Sequence, residues 1–288
     1  MLLFICGGTP FLMGIVYSTI FPSTNAHVVA PLVIGAVFLV AYALWENLGE
    51  KAGLIKYPLT PTRVFTAGWG RDLTAPCIAC AVINMFYYST SILYPTMISV
   101  FFTAPGDWHT SVILSIVQGF AILTGVIFLS AFGSVIKKWH HQLTAYTTIM
   151  VIFGILLALG NPQRKGMMIA FVFVSQAAYS AAMYLSIAVC QMGVDQADLG
   201  ISGGVSGSAR FAGGAIATAV YTAVQTNTVK KWMARLIPAA AVAAGLPSGD
   251  INSLMSVVGT STLSQKYSSA IVAAVGSATV KAYEKGIQ

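Results

Sequence analysis

The chain has 288 residues, of which 57% are hydrophobic and only 8% are charged, and its mean hydropathy is +0.79. A soluble domain carries roughly 25% charged residues on its surface, so this composition excludes a soluble globular protein and predicts one that lies in the lipid bilayer. The net charge of +7 does not indicate nucleic-acid binding, because the basic residues are scattered between apolar blocks with no dense run.

Seven segments are predicted to be membrane spans, since a helix needs about 20 apolar residues to cross a hydrocarbon core. They are residues 2–20, 28–46, 75–102, 111–134, 143–160, 167–190 and 201–226. Between residues 73 and 229, every Asp, Glu, Lys and Arg except Arg210 falls in a turn between two segments. This segregation predicts an all-α, polytopic transmembrane helical bundle.

The predicted spans fall into two groups with a polar connection between them. Residues 1–46 are predicted to form a two-span hairpin, residues 47–74 a cytoplasmic connection with two prolines, and residues 75–226 a five-span bundle. Residues 227–288 are alanine-rich, and their apolar runs are too short to span, which predicts extramembrane or interfacial amphipathic helices. The first span starts with no polar lead-in, which favours a fragment of a longer protein.

The sequence GISGGVSGSARFAGGAIATAVYTAV, residues 200–224, places six glycines near one arginine. Small residues let a second helix approach closely in lipid. A charge in mid-span costs roughly 2.5–3.5 kcal/mol and is expected to face a bundle interior or a water-filled cavity. The segment therefore predicts a packing or gating contact at four glycines, with Arg210 in the same groove; the alternative is a purely structural arginine that reaches the interface. The four glycines are Gly203, Gly207, Gly213 and Gly214.

Three stretches of the chain resemble a known transporter family. DLGISGGVSGSARFAGGAIATAV resembles the penultimate span of the fourteen-span drug:proton antiporters of the major facilitator superfamily. HVVAPLVIGAVFLVAYALWE, followed by YPLTPTRVF, and MFYYSTSILYPTMIS resemble the fungal trichothecene efflux pump group and its siderophore-transporter relatives. One departure is GSVIKKWHHQLT, which lacks the aspartate that many superfamily members carry in this turn, so a charge relay there is in doubt.

The resemblance implies a partial major facilitator fold. Residues 2–46 would be the extra hairpin between two six-span halves, and residues 75–226 the first five spans of the second half, with the amino-terminal half and the last span missing. It further implies a multi-pass protein of the plasma membrane that exports small amphipathic organic compounds by proton antiport and alternating access. No enzymatic activity and no cofactor are implied.

Polar side chains inside the predicted spans are few and are the candidates for lining a substrate cavity, because secondary transporters bind near the bilayer midplane. For each one, an ordinary interhelical hydrogen bond is the alternative. No Asp or Glu lies inside the spans of residues 75–226, so a coupling proton would be carried elsewhere. The candidates are Asn84, Tyr87, Tyr88, Gln118, Gln176, Tyr179 and Arg210.

Other functions remain as alternatives. Within the same superfamily the chain could take up iron–siderophore complexes, or it could be a truncated membrane protein that transports nothing. A seven-span receptor fits the span count, although a retinal protein would need a lysine inside a span. An intramembrane enzyme would need paired acids or a histidine cluster. Cys77 and Cys80 form a CxxC with no second ligand pair, so no metal site is predicted.

Overall fold

The computed structural model describes residues 2–18, 20–21, 25–55, 58–104, 106–258 and 262–287, and in these ranges it is helical with no strand. The predicted all-α fold is confirmed. Residues 1, 19, 22–24, 56, 57, 105, 259–261 and 288 of the predicted segments lie outside the described residues. The helices are α1 (Leu2–Tyr17), α2 (Ala26–Lys51), α3 (Thr62–Thr66), α4 (Thr74–Met97), α5 (Trp108–Ile136), α6 (Trp139–Leu156), α7 (Lys165–Met192), α8 (Leu199–Ala243), α9 (Ile251–Val257), α10 (Leu263–Lys266) and α11 (Ser269–Ile287).

Five of the described helices are long and apolar enough to cross a membrane: α2, α4 with the π-helical turn Ile98–Phe102 that continues it, α5, α6 with the 3-10 turn Leu157–Leu159, and α7. Their outer faces carry large exposed apolar side chains such as Val37, Phe120 and Ile127. Seven spans are predicted from the sequence; the other two segments, in α1 and α8, are helical but are not among the five described helices that are long and apolar enough. The apolar helix α1 has 16 residues, and α8 is rich in glycine, alanine and serine.

The hairpin of α1 and α2 is packed through glycines. A Cβ atom on Gly35 would lie 2.5 Å from the backbone nitrogen of Phe11, and one on Gly14 would lie 2.7 Å from Cγ of Leu32. Without side chains at these positions the two backbones come close together, which is how helices gain packing energy in lipid.

The central helix of the remaining bundle is α7, which contacts α4, α5, α6 and α8. Small residues on α7 and its neighbours allow these close contacts. For example, Gly125 of α5 lies directly against the Ala177 carbonyl and the Ser180 hydroxyl of α7. The helix α8 packs mainly against α4 and, further along its length, against α11. The helices α4, α7 and α8 therefore meet in one region of the bundle.

The structure differs from the sequence interpretation after residue 226. There the sequence predicted separate short helices, but α8 runs on without a break to Ala243 and is 45 residues long, about 68 Å at 1.5 Å per residue. A hydrocarbon core is only about 30 Å thick, so α8 is far longer than one span. Its distal part packs against α11 and α9 around Ile237, Ala241, Leu254 and Val275. This burial of apolar surface holds together residues that composition alone places outside the membrane.

Candidate functional site

A cavity of about 220 Å³ lies between α4, α5, α7 and α8. Five of the seven predicted cavity residues line it, and they come from three helices that are distant in sequence. Tyr184 and Phe211 at its rim are 52% and 60% exposed, so the described residues leave one side of it uncovered. The lining residues are Asn84, Tyr87, Tyr88, Ile122, Tyr179, Ser180, Met183, Tyr184, Arg210 and Phe211.

One buried amide holds three of these helices together. The Nδ2 atom of Asn84 donates a hydrogen bond to the backbone carbonyl of Arg210 at 2.7 Å, and its Oδ1 atom accepts one from the Tyr179 hydroxyl at 2.9 Å. Asn84 is 4% exposed, and a buried polar group without partners would cost about 1–3 kcal/mol. The sequence left two roles open for Asn84, substrate contact or an interhelical hydrogen bond. Both of its observed hydrogen bonds are interhelical.

Two neighbouring glycines allow this amide to reach the backbone of α8. A Cβ atom on Gly213 would lie 2.6 Å from the Ala81 carbonyl oxygen, and one on Gly214 would lie 2.8 Å from Nδ2 of Asn84. Both glycines are buried. Any side chain here would push α8 away from α4 and break the bond from Asn84.

Tyrosine rings form the aromatic wall of the cavity. The ring of Tyr87 stacks on Tyr179 with centroids 4.3 Å apart, and it meets Tyr88 edge-on at 5.2 Å. The hydroxyl of Tyr179 is used by Asn84. Those of Tyr87, Tyr88 and Tyr184 form no hydrogen bond with any described residue, so these three donors can still meet a ligand.

Among the described residues that line the cavity, Arg210 is the one charged group, and it is half-buried. Its guanidinium carbon lies 4.6 Å from the ring centroid of Phe211. No described carboxylate lies within 4.0 Å of it; the salt bridge of the described chain is elsewhere, between Arg63 and Asp198. Since arginine remains protonated in proteins, the described part of this site carries a positive charge.

Comparison with known proteins places the chain in a family. The model of the fungal trichothecene efflux pump family matches residues 1–283. The chain belongs to this family. It is 54% identical over 287 residues, 99% of its length, to the MFS-type transporter prx5 of Penicillium rubens, and covers 52% of that protein. It is 23% identical over 257 residues, 88% of its length, to the trichothecene efflux pump TRI12 of Fusarium sporotrichioides, covering 42% of that protein.

The chain thus spans about half the length of the curated relatives that it matches. No solved structure matches it significantly. Membership in a family of integral membrane transporters agrees with its apolar helices, and confirms the resemblance on which the sequence interpretation rests.

Two of the seven predicted cavity residues, Gln118 and Gln176, do not line the cavity. Gln118 donates from Nε2 to the Ser91 hydroxyl at 2.6 Å, which joins α5 to α4. Gln176 is 1% exposed, and neither polar atom of its side chain has a hydrogen-bond partner among the described residues. Their contact with a substrate stays a prediction.

The other two glycines predicted for helix packing, Gly203 and Gly207, are not packed against a described neighbour. A Cβ atom on Gly203 or Gly207 would meet nothing within 4 Å in the described structure. The reason is their position along the helix: at 100° per residue Gly203 and Gly207 lie about 20° around α8 from the buried Gly214, but two to three turns nearer its start. At that level a packing partner would have to lie outside the described residues.

Several contacts between distant segments gave no signal in the sequence. Arg63 of α3 forms a salt bridge of 2.9 Å with Asp198, directly before α8. The backbone nitrogen of Thr60 donates to Glu46 of α2 at 3.0 Å. These contacts connect α2, the polar connection of residues 47–74 and the start of α8 over more than 130 residues of sequence, and no local pattern could have paired them.

Proposed function

We propose that the chain is the carboxyl-terminal part of a transporter that exports small amphipathic organic compounds. The observation that carries this proposal is the cavity lined by Tyr87, Tyr88, Tyr179 and Arg210, in a chain that matches an MFS-type transporter over 99% of its length. Aromatic faces next to a few polar groups are the usual lining of small-molecule sites. The plasma membrane is the proposed location.

In this proposal the uncovered rim of the cavity faces the other half of the transporter. Gly203 and Gly207 would then form the surface on which the two halves slide, because helices without side chains can move past one another in close contact. Alternating access would open the site to one side of the membrane at a time.

Proton antiport is proposed as the source of energy. The described residues that line the cavity include no carboxylate and no histidine. A proton-coupled cycle needs such a group in the membrane. The proton carrier is therefore proposed to belong to the amino-terminal half, which also makes that half the required partner.

The proposal is tested by expressing the chain in a yeast strain without its own multidrug exporters, alone and together with the amino-terminal half of the Penicillium rubens relative. Export of two amphipathic dyes, the neutral Prodan and the anionic fluorescein, is followed by cell fluorescence. We expect export only when the two halves are present together, and its loss when the proton gradient is collapsed. If dye retention is the same in all strains, with both polypeptides present in the membrane, the transport proposal fails.

A further inference from the structure

The cavity has an unbalanced set of polar groups. The Arg210 guanidinium has no carboxylate within 4.0 Å among the described residues, and the Oδ1 atom of Asn84 is already occupied by the Tyr179 hydroxyl. The hydroxyls of Tyr87, Tyr88 and Tyr184 remain as donors. The described site thus offers a cation and several hydrogen-bond donors, but no free carboxylate or amide oxygen that would accept a bond from a ligand.

The cost of an unpaired charge in lipid indicates which sign of ligand charge this site favours. A guanidinium at membrane depth is costly unless it is paired or hydrated. A negatively charged oxygen would pair with it, and phenolic donors next to that oxygen would form charge-assisted hydrogen bonds, which are about twice as strong as neutral ones. A cationic ligand would meet the repulsion of Arg210 with no acid nearby to offset it.

The other residues that line the cavity restrict the shape and size of the ligand. The stacked rings of Tyr87 and Tyr179, the side chain of Ile122 and the ring of Phe211 present flat apolar surfaces. The cavity volume of about 220 Å³ is below the roughly 300–1,000 Å³ of sites that enclose a drug-sized molecule. It therefore has room for one end of such a ligand, an acidic group on a small ring system.

We propose that this site recognises organic anions, and that Arg210 binds the carboxylate or other oxyanion of an amphipathic compound, with the free hydroxyls of Tyr87 and Tyr88 beside it. The inference rests on the proposed function and narrows its substrate class. The same chemistry has a second source, a carboxylate side chain of the transporter's other half, and the experiment has to separate the two.

The test uses the purified chain in lipid nanodiscs and two probes of nearly equal shape, 2-naphthoate and its neutral analogue 2-naphthamide. Binding is measured by calorimetric titration. We expect the anion to bind at least tenfold more tightly than the amide. Arg210→Met should remove most of this preference by weakening naphthoate binding, whereas Arg210→Lys should retain part of it. The matched control is Arg235→Met, because Arg235 is exposed on the distal part of α8 and lies over Trp232.

The outcomes separate the two proposals. If the amide binds as tightly as the anion, or if Arg210→Met weakens both equally, the anion proposal fails and the proposed function stands. If neither probe binds to a helical and monodisperse chain, with or without the amino-terminal half of the relative, the anion proposal fails, and the dye-export experiment decides the proposed function separately. A second titration is made with the amino-terminal half of the relative present. Preference for naphthoate that survives this pairing supports a free anionic substrate, and its loss assigns the carboxylate to the other half and overturns the proposal.

Discussion

Two groups of glycines on α8 carry the same sequence signal and have different surroundings. Gly213 and Gly214 lie against Ala81, Asn84 and Tyr88 of α4, with no room for even a methyl group. Gly203 and Gly207, two to three turns earlier, have open space around the position of a Cβ atom. A small-residue stripe thus shows where a helix can approach, but only the neighbouring helices decide which part of it is used. The first pair shapes the cavity, and the second leaves a surface uncovered within the described chain.

The largest difference is expected from enlarging one glycine of each pair. Gly213→Leu would force α8 away from the Ala81 carbonyl, and overpacking of this kind costs about 1–3 kcal/mol or more. Gly203→Leu places its side chain in open space and should change the free energy of unfolding by no more than about 0.5 kcal/mol. Thermal unfolding of both variants in nanodiscs gives the comparison. Equal destabilisation would mean that the Gly203 face is also packed.

The bond that depends on the packed glycines is expected to have the next largest effect. Asn84→Leu would leave the Tyr179 hydroxyl without its acceptor, at a cost of about 1–3 kcal/mol. Tyr179→Phe should then cost clearly less in the Asn84→Leu background than in the wild type, and a double-mutant cycle on the unfolding free energy measures this coupling. Asn227→Leu, at an exposed position of α8, is the matched control. Strict additivity of the two changes would show that Asn84 and Tyr179 do not interact.

A smaller effect is expected at the start of α8, before the open glycines. Arg63 is 66% exposed and Asp198 is 7% exposed, so Arg63→Gln should cost about 0.2–1 kcal/mol, and less at high salt. Asp198→Asn should show the same salt dependence, whereas Arg71→Gln, which removes an exposed arginine from the same connection, should have no such effect. A cost for Arg63→Gln that does not change with salt would show that the residue acts through packing.

The smallest effect is expected at Asp107, the N-cap of α5, remote from both glycine pairs. Hydrogen bonds from the side chain and the backbone of Thr110 hold the pKa of this carboxyl below its usual value. A carboxyl whose pKa is lower in the folded state stabilises the fold above its unfolded pKa, about 3.9, and loses this contribution as the pH falls through the folded value. Melting curves of Asp107→Ala and wild type should therefore differ at pH 7 and converge in strong acid. A constant difference over this range would leave the carboxylate without a role.

The sequence predicts the helical class, and five of its seven cavity candidates lie together in the structure, but it does not predict the ends and partners of the helices. The polar residues of α4 and α7 could be selected because polar groups in lipid are rare and must be satisfied. The continuation of α8 to Ala243 could not be predicted from the sequence, because a loss of apolar character marks the end of a membrane span but not the end of a helix. Gln118 and Gln176 have the same composition signal as Asn84, and only the packing shows that they do not line the cavity. The Arg63–Asp198 salt bridge could not be predicted either, because only the tertiary structure brings these two distant residues together.

Photolabelling tests most directly whether the cavity, and not the open face of α8, receives the ligand. A naphthalene carboxylate that carries a diazirine is activated in nanodiscs with the chain, and labelled residues are mapped by mass spectrometry, with and without excess 2-naphthoate. If the cavity is the site, labels fall on Tyr87, Tyr88, Met183 or Tyr184 and disappear with the competitor. Labels confined to the face of Gly203 and Gly207, or spread over lipid-facing residues and unchanged by the competitor, would show that ligands do not bind where α4, α7 and α8 meet.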